Sequence, residues 1–134
     1  MNDANKYTLS ELEILFADDF SSPLFFELAT RYFDQNDFSR AIKVLKIGLD
    51  QHSNHINGRY FLAKIYLLRN EESKAEKILN NMLKDKLYSP KTLKLLIEIR
   101  DTFNRSKTET KKIVDLLLSL YSDDKYAIRW ANDY

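Results

Sequence analysis

Two histidines, His52 and His55, are the first candidates for chemistry, because residues three apart can share one face of a helix and bind a metal ion. The segment around them is polar and lacks a helical pattern, which predicts a turn between two helices. Asp50 is the one carboxylate nearby. We therefore expect both histidines to be solvent-exposed turn residues, and we predict no metal site.

Paired carboxylates are the second candidate, as a general acid and base. The pairs Asp18–Asp19 and Asp123–Asp124 are adjacent in the chain, and adjacent side chains diverge on a helix. Capping of a helix end is the ordinary use of aspartate at such positions. Without cysteine, thiol catalysis and cysteine-bound zinc are excluded, and two isolated glycines cannot form a phosphate-binding loop. We predict that the chain is not an enzyme and has no cofactor.

The elements that position these residues are expected to be helices. Of the 134 residues, 44% are hydrophobic and 31% are charged, which favours one folded domain over a disordered chain. Two glycines and two prolines are too few for the many tight turns of a β-sandwich or a β-barrel. The composition therefore predicts an all-α fold.

The net charge of +1 hides an asymmetry along the chain. Residues 1–37 hold 8 acidic and 2 basic side chains, whereas residues 38–134 hold 12 acidic and 19 basic ones. A solvated surface explains this distribution, and an acidic partner or complementarity between the two ends is the alternative. The sequence shows neither a signal peptide nor an apolar run long enough to cross a bilayer, so we expect no membrane span and a cytoplasmic location.

Comparison of the sequence with itself at an offset of 34 residues reveals an internal repeat. Five identities coincide at small or apolar positions: Leu28 with Leu62, Ala29 with Ala63, Tyr32 with Tyr66, Ala41 with Ala75, and Leu45 with Leu79. Each period holds two amphipathic segments separated by a polar stretch, which predicts a pair of helices. Ser22 and Pro23 predict the start of the first pair, because proline is tolerated at the first helical position.

The predicted organisation is one domain in which helix pairs lie between two terminal helices. Thr8 and Glu11 form a capping box that begins the first helix. The predicted segments are an N-terminal helix over residues 8–20, repeats over residues 22–55 and 56–89, a degenerate third repeat over residues 90–122 that begins at Pro90, and a C-terminal helix over residues 123–134. In the third repeat Arg100 stands where a tyrosine is expected and Glu109 where a small residue is expected, as in a terminal capping repeat.

This pattern resembles the tetratricopeptide repeat, a helix–turn–helix unit of about 34 residues, which is the offset found here. The first repeat carries the motif as Phe25, Leu28, Ala29, Tyr32, Ala41 and Leu45. The second departs from it at Arg59, which takes the place of an aromatic residue. The resemblance covers residues 22–89 and implies a right-handed solenoid of antiparallel helix pairs with capping helices at both ends. The alternative is a helical bundle with an accidental period.

The resemblance also implies a concave binding face built from the first helix of each repeat. The residues expected to line it are Phe26, Thr30, Asn57, Tyr60, Lys64, Leu67, Lys91 and Lys94. Aromatic and apolar groups followed by lysines suit a peptide or helix with an apolar anchor and then acidic residues. The alternative is that Phe33 and Leu67 pack inward, or that a terminal helix fills the groove.

These observations predict a small non-catalytic adaptor that binds another protein in the groove. The alternative is a structural subunit that packs permanently in a larger assembly or a homo-oligomer, through a large apolar interface. A nucleic-acid-associated helical repeat is a lesser alternative, because aromatic and basic residues interleave between Tyr60 and Lys94.

Overall fold

The computed structural model describes residues 6–134, and every regular element in that part of the chain is an α-helix. Over the same residues, no helix combines the length and apolar character needed to cross a bilayer. The helices are α1 (Leu9–Asp18), α2 (Phe25–Asp34), α3 (Phe38–Gln51), α4 (Ile56–Leu68), α5 (Glu72–Lys84), α6 (Pro90–Thr102), α7 (Lys107–Leu120) and α8 (Lys125–Asp133).

The chain divides into two compact units, Met1–Arg69 and Asn70–Tyr134. The first unit contains α1 to α4, and the second contains α5 to α8. Within each unit every helix packs on the next one along the chain, as short connections between helices favour. The boundaries drawn between repeats in the sequence stay predictions.

Small residues let α2 and α3 approach each other closely in the first unit. Ala41 is fully buried, and Gly48 lies against the buried ring of Phe25, where a Cβ atom on Gly48 would overlap the ring. On the other side of α2, the hydroxyl of Tyr32 donates a hydrogen bond to Glu13 of α1. Burial and this bond raise the pKa of Tyr32 to about 12. The residues that define the repeat therefore pack α2 between α1 and α3.

The start of α2 differs from the prediction. The helix begins at Phe25 and not at Pro23, because residues 22–24 form a turn instead of a first helical turn. In that turn the hydroxyl of Ser22 accepts a hydrogen bond from the backbone N–H of Leu24 at 3.2 Å. Proline at a helix start and proline in the turn before it share the same φ, so the sequence alone does not distinguish them.

The starts of α1 and α6 lie where the sequence indicated them, at the capping box of Thr8 and at Pro90. The box between Thr8 and Glu11 is present at α1. Helix α6 begins at Pro90, and Ser89 before it forms a second capping box with Thr92. Side chains thus satisfy backbone N–H groups that have no partner within the first turn of either helix.

Asparagine occupies the same place in three turns, one repeat period apart from each other. Asn36, Asn70 and Asn104 have φ values of 60°, 59° and 55°, in the left-handed region that asparagine tolerates better than most residues. In the first turn the N–H of Asp37 donates to the carbonyl of Tyr32 at 2.9 Å, as in a Schellman motif. The repeat period therefore appears in the conformation of the turns as well as in the buried residues of the helices.

The third of these turns is one residue longer than the first. In the first turn the N-cap of α3, Asp37, follows Asn36 directly. In the third turn the N-cap of α7, Ser106, is two residues beyond Asn104, and the additional residue is Arg105. All later positions of the third repeat are consequently shifted by one residue relative to the sequence period.

This shift places Thr110, and not Glu109, at the position of the buried small residue. Thr110 is fully buried and Glu109 is exposed. The expectation that Glu109 stands at the position of the small residue was therefore wrong. Arg100 occupies the tyrosine position, and its Nε donates to the hydroxyl of Thr110 at 2.9 Å. The third repeat therefore replaces the apolar tyrosine–alanine pair with a hydrogen-bonded arginine–threonine pair.

A buried carboxylate balances the charge that this replacement introduces. Glu76 of α5 is 9% exposed and lies 2.9 Å from the guanidinium of Arg105 and 3.6 Å from that of Arg100. The carboxylate also raises the pKa of Arg105, through its hydrogen bond and its charge. Within the described residues every buried side-chain polar atom has a hydrogen-bond partner. Below, these four side chains are called the polar cluster: Glu76, Arg100, Arg105 and Thr110. The polar cluster connects α5, α6 and the start of α7.

The packing of α2 on α3 predicts a cost for enlarging a buried small residue. Ala41→Leu should lower the free energy of unfolding by about 1–3 kcal/mol, because the added atoms have no space at the helix crossing. Lys43→Leu, two residues away on the exposed face of the same helix, is the matched control and should change it far less. Similar midpoints for both variants in denaturant unfolding would contradict the packing described above.

The polar cluster predicts a larger cost for removing its carboxylate. Glu76→Ala should lower the free energy of unfolding by about 3 kcal/mol, because it leaves the guanidinium of Arg100 with little solvent and no carboxylate. Glu109→Ala is the control, since Glu109 is exposed and pairs only with Lys112 on the same helix. If denaturant unfolding gave the same loss for both variants, the cluster would not stabilise the second unit.

Candidate functional site

Half-buried aromatic rings of α2 and α4 lie against one another in the first unit. The ring centroid of Phe61 is 5.6 Å from that of Phe26 and 5.1 Å from that of Phe33. Phe38, at the start of α3, lies 5.3 Å from Phe33. All four side chains keep part of their surface exposed. Below, the rings of Phe26, Phe33 and Phe61 are called the aromatic face.

Each ring reaches this face because of its helical position. Phe26 and Phe33 are seven residues apart on α2, which is two helical turns, so they project from the same side of the helix. Phe61 lies on α4 between them and makes an edge-on contact with each ring, at interplanar angles of 63° and 66°. Edge-to-face geometry is a favourable arrangement for aromatic pairs.

The predicted binding residues of the first unit fall into two classes of exposure. Asn57 and Lys64 are exposed, whereas Phe26, Thr30, Tyr60 and Leu67 are half-buried. The hydroxyl of Thr30 donates to the carbonyl of Phe26 at 2.9 Å, so it is used within its own helix. The ammonium of Lys64 lies 5.9 Å from the ring centroid of Tyr60, at cation–π distance. That these residues bind a partner protein stays a prediction.

Phe33 neither points freely into solvent nor packs fully inward. It is half-buried and contacts Phe38 and Phe61, so it belongs to the aromatic face. The binding residues predicted from the sequence did not include Phe61, and for Phe33 the sequence left inward packing open. Phe61 lies next to Tyr60 and one residue out of step with Phe26 at the repeat offset, so a strict period does not select it.

The two histidines are not the exposed turn residues that the sequence predicted. Both are half-buried beside Phe25: the ring of His52 stacks on it at 5.5 Å, and the ring of His55 meets it nearly edge-on at 5.1 Å. His55 is the N-cap of α4, and its Nδ1 accepts the backbone N–H of Gly58 at 2.8 Å. The prediction failed because the apolar ring that covers them comes from α2, far away in the sequence.

Polar contacts hold both imidazoles in these positions. Nε2 of His52 lies 2.6 Å from the carbonyl oxygen of Ser21 and must therefore carry the proton that it donates. His55 must keep Nδ1 unprotonated in order to accept from Gly58. In residues 6–134 no cluster of three or more histidine or carboxylate side chains could hold a metal ion.

The predicted lysines of the third repeat lie in the second unit, on α6. Lys91 is exposed, whereas the ammonium of Lys94 forms an ion pair with Asp124. Asp124 is the N-cap of α8, and the pairing with Lys94 lowers the pKa of its carboxyl. Lys94 is therefore largely neutralised by the C-terminal helix instead of facing an open groove.

Sequence comparison identifies the repeat in the middle of the chain. The family model of the tetratricopeptide repeat matches residues 32–87. A search among curated proteins finds no significant relative. The fold, however, is found in several solved structures that share little sequence with this chain.

YrrB, a TPR protein described as having an unusual peptide-binding site, superposes on 90% of this chain with a TM-score of 0.71 and 12% identity. MamA superposes on 97% of it with a TM-score of 0.77 and 14% identity. The C-terminal part of a TPR repeat-containing protein from Cytophaga hutchinsonii covers 95%, with a TM-score of 0.63 and 19% identity. The chain spans 62%, 81% and 55% of these three structures, and identities this low show a shared fold only.

Helix pairs that recur with a constant period, asparagine turns and small residues at the helix crossings define an α-helical repeat protein of the solenoid class. The family match shows that residues 32–87 carry the tetratricopeptide repeat, and the chain shares the fold of the solved structures above. The predicted resemblance to the tetratricopeptide repeat and the predicted all-α fold of helix pairs are thereby confirmed. Repeats of this kind serve as scaffolds for interactions between proteins.

The N-cap role of His55 predicts a loss of stability in mild acid. Burial lowers the pKa of His55 below its ordinary value of 6.5, and the neighbouring His52 adds to this effect. On acidification the unfolded chain therefore takes up a proton before the folded chain does. The contribution of His55 to the free energy of unfolding should be complete above pH 6.5 and decline as the pH falls from there through its folded-state pKa.

Unfolding in denaturant at about pH 7.5 and about pH 5.5 measures this decline. His55→Asn is the test variant, because asparagine also caps helices but does not titrate. The variant should lose less stability between the two pH values than the native protein. Equal losses would show that protonation of His55 is not responsible.

Proposed function

We propose that this protein is a non-catalytic adaptor that binds a peptide or a helix of a partner protein on the aromatic face of α2 and α4. The observation that carries the proposal is that Phe26 and Phe33 each contact Phe61 and that all three rings remain partly exposed. Aromatic side chains on a rigid helical surface are the groups that most often dominate binding energy at protein interfaces. The fold supports such a role, because a tetratricopeptide repeat presents its first helices as a scaffold.

The residues beside the aromatic face favour a particular ligand chemistry. Tyr60 and Lys64 lie one turn apart on α4, and Asn57 precedes them on the same helix; Asn57 and Lys64 are exposed. Apolar side chains of a ligand would lie on the rings, and a carboxylate beyond them would meet the ammonium of Lys64. The proposed ligand is thus an apolar segment that is followed by acidic residues, as the sequence predicted. The sequence assigned the acidic part to the third-repeat lysines Lys91 and Lys94, whereas the proposal assigns it to Lys64.

A second candidate function is a structural subunit of a larger assembly or homo-oligomer, and the distribution of exposed apolar side chains favours it. Nine large hydrophobic residues are exposed in the described part of the chain. Five of them lie in or next to the terminal helices α1 and α8, and two lie at the end of α7; they are Ile14, Leu15, Phe20, Ile128 and Tyr134, and Leu120 and Tyr121. Such residues would be buried by another protein that packs on the terminal helices.

Nucleic-acid binding has less support than either. A single-stranded nucleic acid needs aromatic rings that are accessible for stacking. Tyr66 is buried, and Phe61 is engaged with two other rings. The interleaved aromatic and basic residues of the sequence therefore do not form a row of accessible rings.

Two tyrosine variants distinguish the adaptor from the structural subunit. The partner is first obtained by affinity purification from the source cells and mass spectrometry, and its affinity is then measured by titration. Tyr60→Ala, on α4, should weaken binding by about 1–3 kcal/mol, because the ring supports the ligand beside the aromatic face. Tyr121→Ala, at the end of α7, is the matched control and should leave the affinity unchanged.

Lys64→Glu should weaken binding mainly through a slower association rate and a changed salt dependence, as expected for a charge at the rim of an interface. Lys112→Glu, on the exposed side of α7, is its control. Melting temperatures close to the native value would show that the variants fold. Loss of binding in Tyr121→Ala with full binding in Tyr60→Ala would overturn the adaptor proposal and favour the structural subunit.

A further inference from the structure

The second unit contains a cleft that none of the predicted binding residues lines. Its volume is about 440 Å³, and its lining residues are Asp101 of α6, Lys107 of α7, and Trp130, Asp133 and Tyr134 in and after α8. Below it is called the Trp130 cleft. It combines two aromatic rings with two carboxylates in one small concave surface.

The aromatic wall of the Trp130 cleft is fixed in position. Trp130 and Tyr134 are four residues apart, and their rings stack at a centroid distance of 5.3 Å with an interplanar angle of 15°. The indole N–H of Trp130 donates to a carboxylate oxygen of Asp101 at 2.7 Å. This hydrogen bond determines the plane of the indole and holds a carboxylate at its edge.

A cation of the chain itself already occupies this site. The ammonium of Lys107 lies 5.7 Å from the ring centroid of Trp130 and 2.7 Å from the other carboxylate oxygen of Asp101. An aromatic face together with a carboxylate is the arrangement that recognises a positively charged side chain. Lys107 thus shows which ligand chemistry the Trp130 cleft accepts.

The surrounding charge favours a further cation. The cleft is lined by the carboxylates of Asp101 and Asp133 against the single ammonium of Lys107. The pKa of Tyr126, on α8, is raised to about 12 by burial and in addition by the negative charges of Glu98 and Asp101. This part of the second unit is therefore locally acidic, although residues 38–134 are basic as a whole.

We propose that the Trp130 cleft binds a lysine or arginine side chain of a partner peptide, which displaces the ammonium of Lys107. The side chain of Lys107 is 56% exposed, and an exposed ion pair contributes little to stability, so its displacement costs little. Arginine fits better than lysine, because its planar guanidinium stacks on an indole while it donates to a carboxylate. This proposal goes beyond the adaptor function and does not depend on the aromatic face of the first unit.

The sequence supplies a specific probe, since Trp130 is the only tryptophan. Its fluorescence is titrated with three blocked tripeptides at constant ionic strength: glycine–arginine–glycine, glycine–lysine–glycine, and glycine–citrulline–glycine. Citrulline has nearly the shape of arginine but no charge. The arginine peptide should give a saturable change and the tighter dissociation constant of the two cations, and the citrulline peptide should give none.

Variants of the intact chain test the displacement. Lys107→Gln should bind the arginine peptide about twofold to fivefold more tightly, the factor expected when a competing exposed ion pair is removed. Lys112→Gln, an exposed lysine further along α7, is the control and should bind like the native protein. Asp133→Asn, which leaves the hydrogen bond between Trp130 and Asp101 in place, should bind more weakly.

Two results would overturn the proposal. One is an equal fluorescence response to the arginine and citrulline peptides, because recognition would then not depend on charge. The other is unchanged affinity in both Lys107→Gln and Asp133→Asn while the far-ultraviolet spectrum shows that each variant is folded. Neither result would affect the adaptor proposal, because that proposal rests on residues of α2 and α4.

Discussion

The burial of Phe25 is the contact on which the first unit depends. Its ring lies between helices because both glycines of the chain are close to it: Gly48 of α3 faces the ring directly, and Gly58 of α4 lies at its edge. A Cβ atom at Gly58 would come within 2.9 Å of the imidazole of His55, which in turn packs on Phe25. One buried ring therefore determines how closely α2, α3 and the start of α4 approach one another.

The aromatic face follows from that contact. With Phe25 buried on one side of α2, the next residue, Phe26, is directed toward α4, where it meets Phe61. The imidazole of His55 also contacts Phe26, at a ring-centroid distance of 5.3 Å. It therefore lies between the buried ring of Phe25 and the half-buried ring of Phe26. The same N-cap that begins α4 therefore also supports the surface that we propose as the binding site. A single side chain thus contributes both to the start of α4 and to the proposed binding surface.

The second unit reaches a similar helical packing by different chemistry. Where the first unit buries Tyr32 and Ala41, the second buries Thr110 beside Arg100 and balances the charge with Glu76. Such a cluster is stable only when every polar atom is paired, which is the case among the described residues. The surfaces differ accordingly, since the first unit exposes part of a phenylalanine cluster and the second exposes carboxylates around a tryptophan.

The class of fold follows from local patterns in the amino-acid sequence. A regular period of small and apolar residues is local information, because it indicates which face of each helix is buried. Residues such as Thr8 and Pro90 likewise indicate where helices begin. The eight predicted helical segments were therefore recognisable, and so was the repeat family. The start of α2 and the register of α7 were not recognisable from the sequence. Each depends on the length of one turn, and the insertion or loss of one residue in a turn leaves the apolar pattern almost unchanged.

The contacts of the candidate binding residues and of the histidines depend on how the helices pack. Phe61 joins Phe26 and Phe33, Lys94 is neutralised by Asp124, and the histidines are covered by Phe25. Each of these contacts joins residues that are far apart in the chain, where no periodicity of the sequence specifies the partner. The physical reason is that a helical pattern reports which side of a helix is buried, whereas contacts between side chains depend on the distance and angle at which two helices cross.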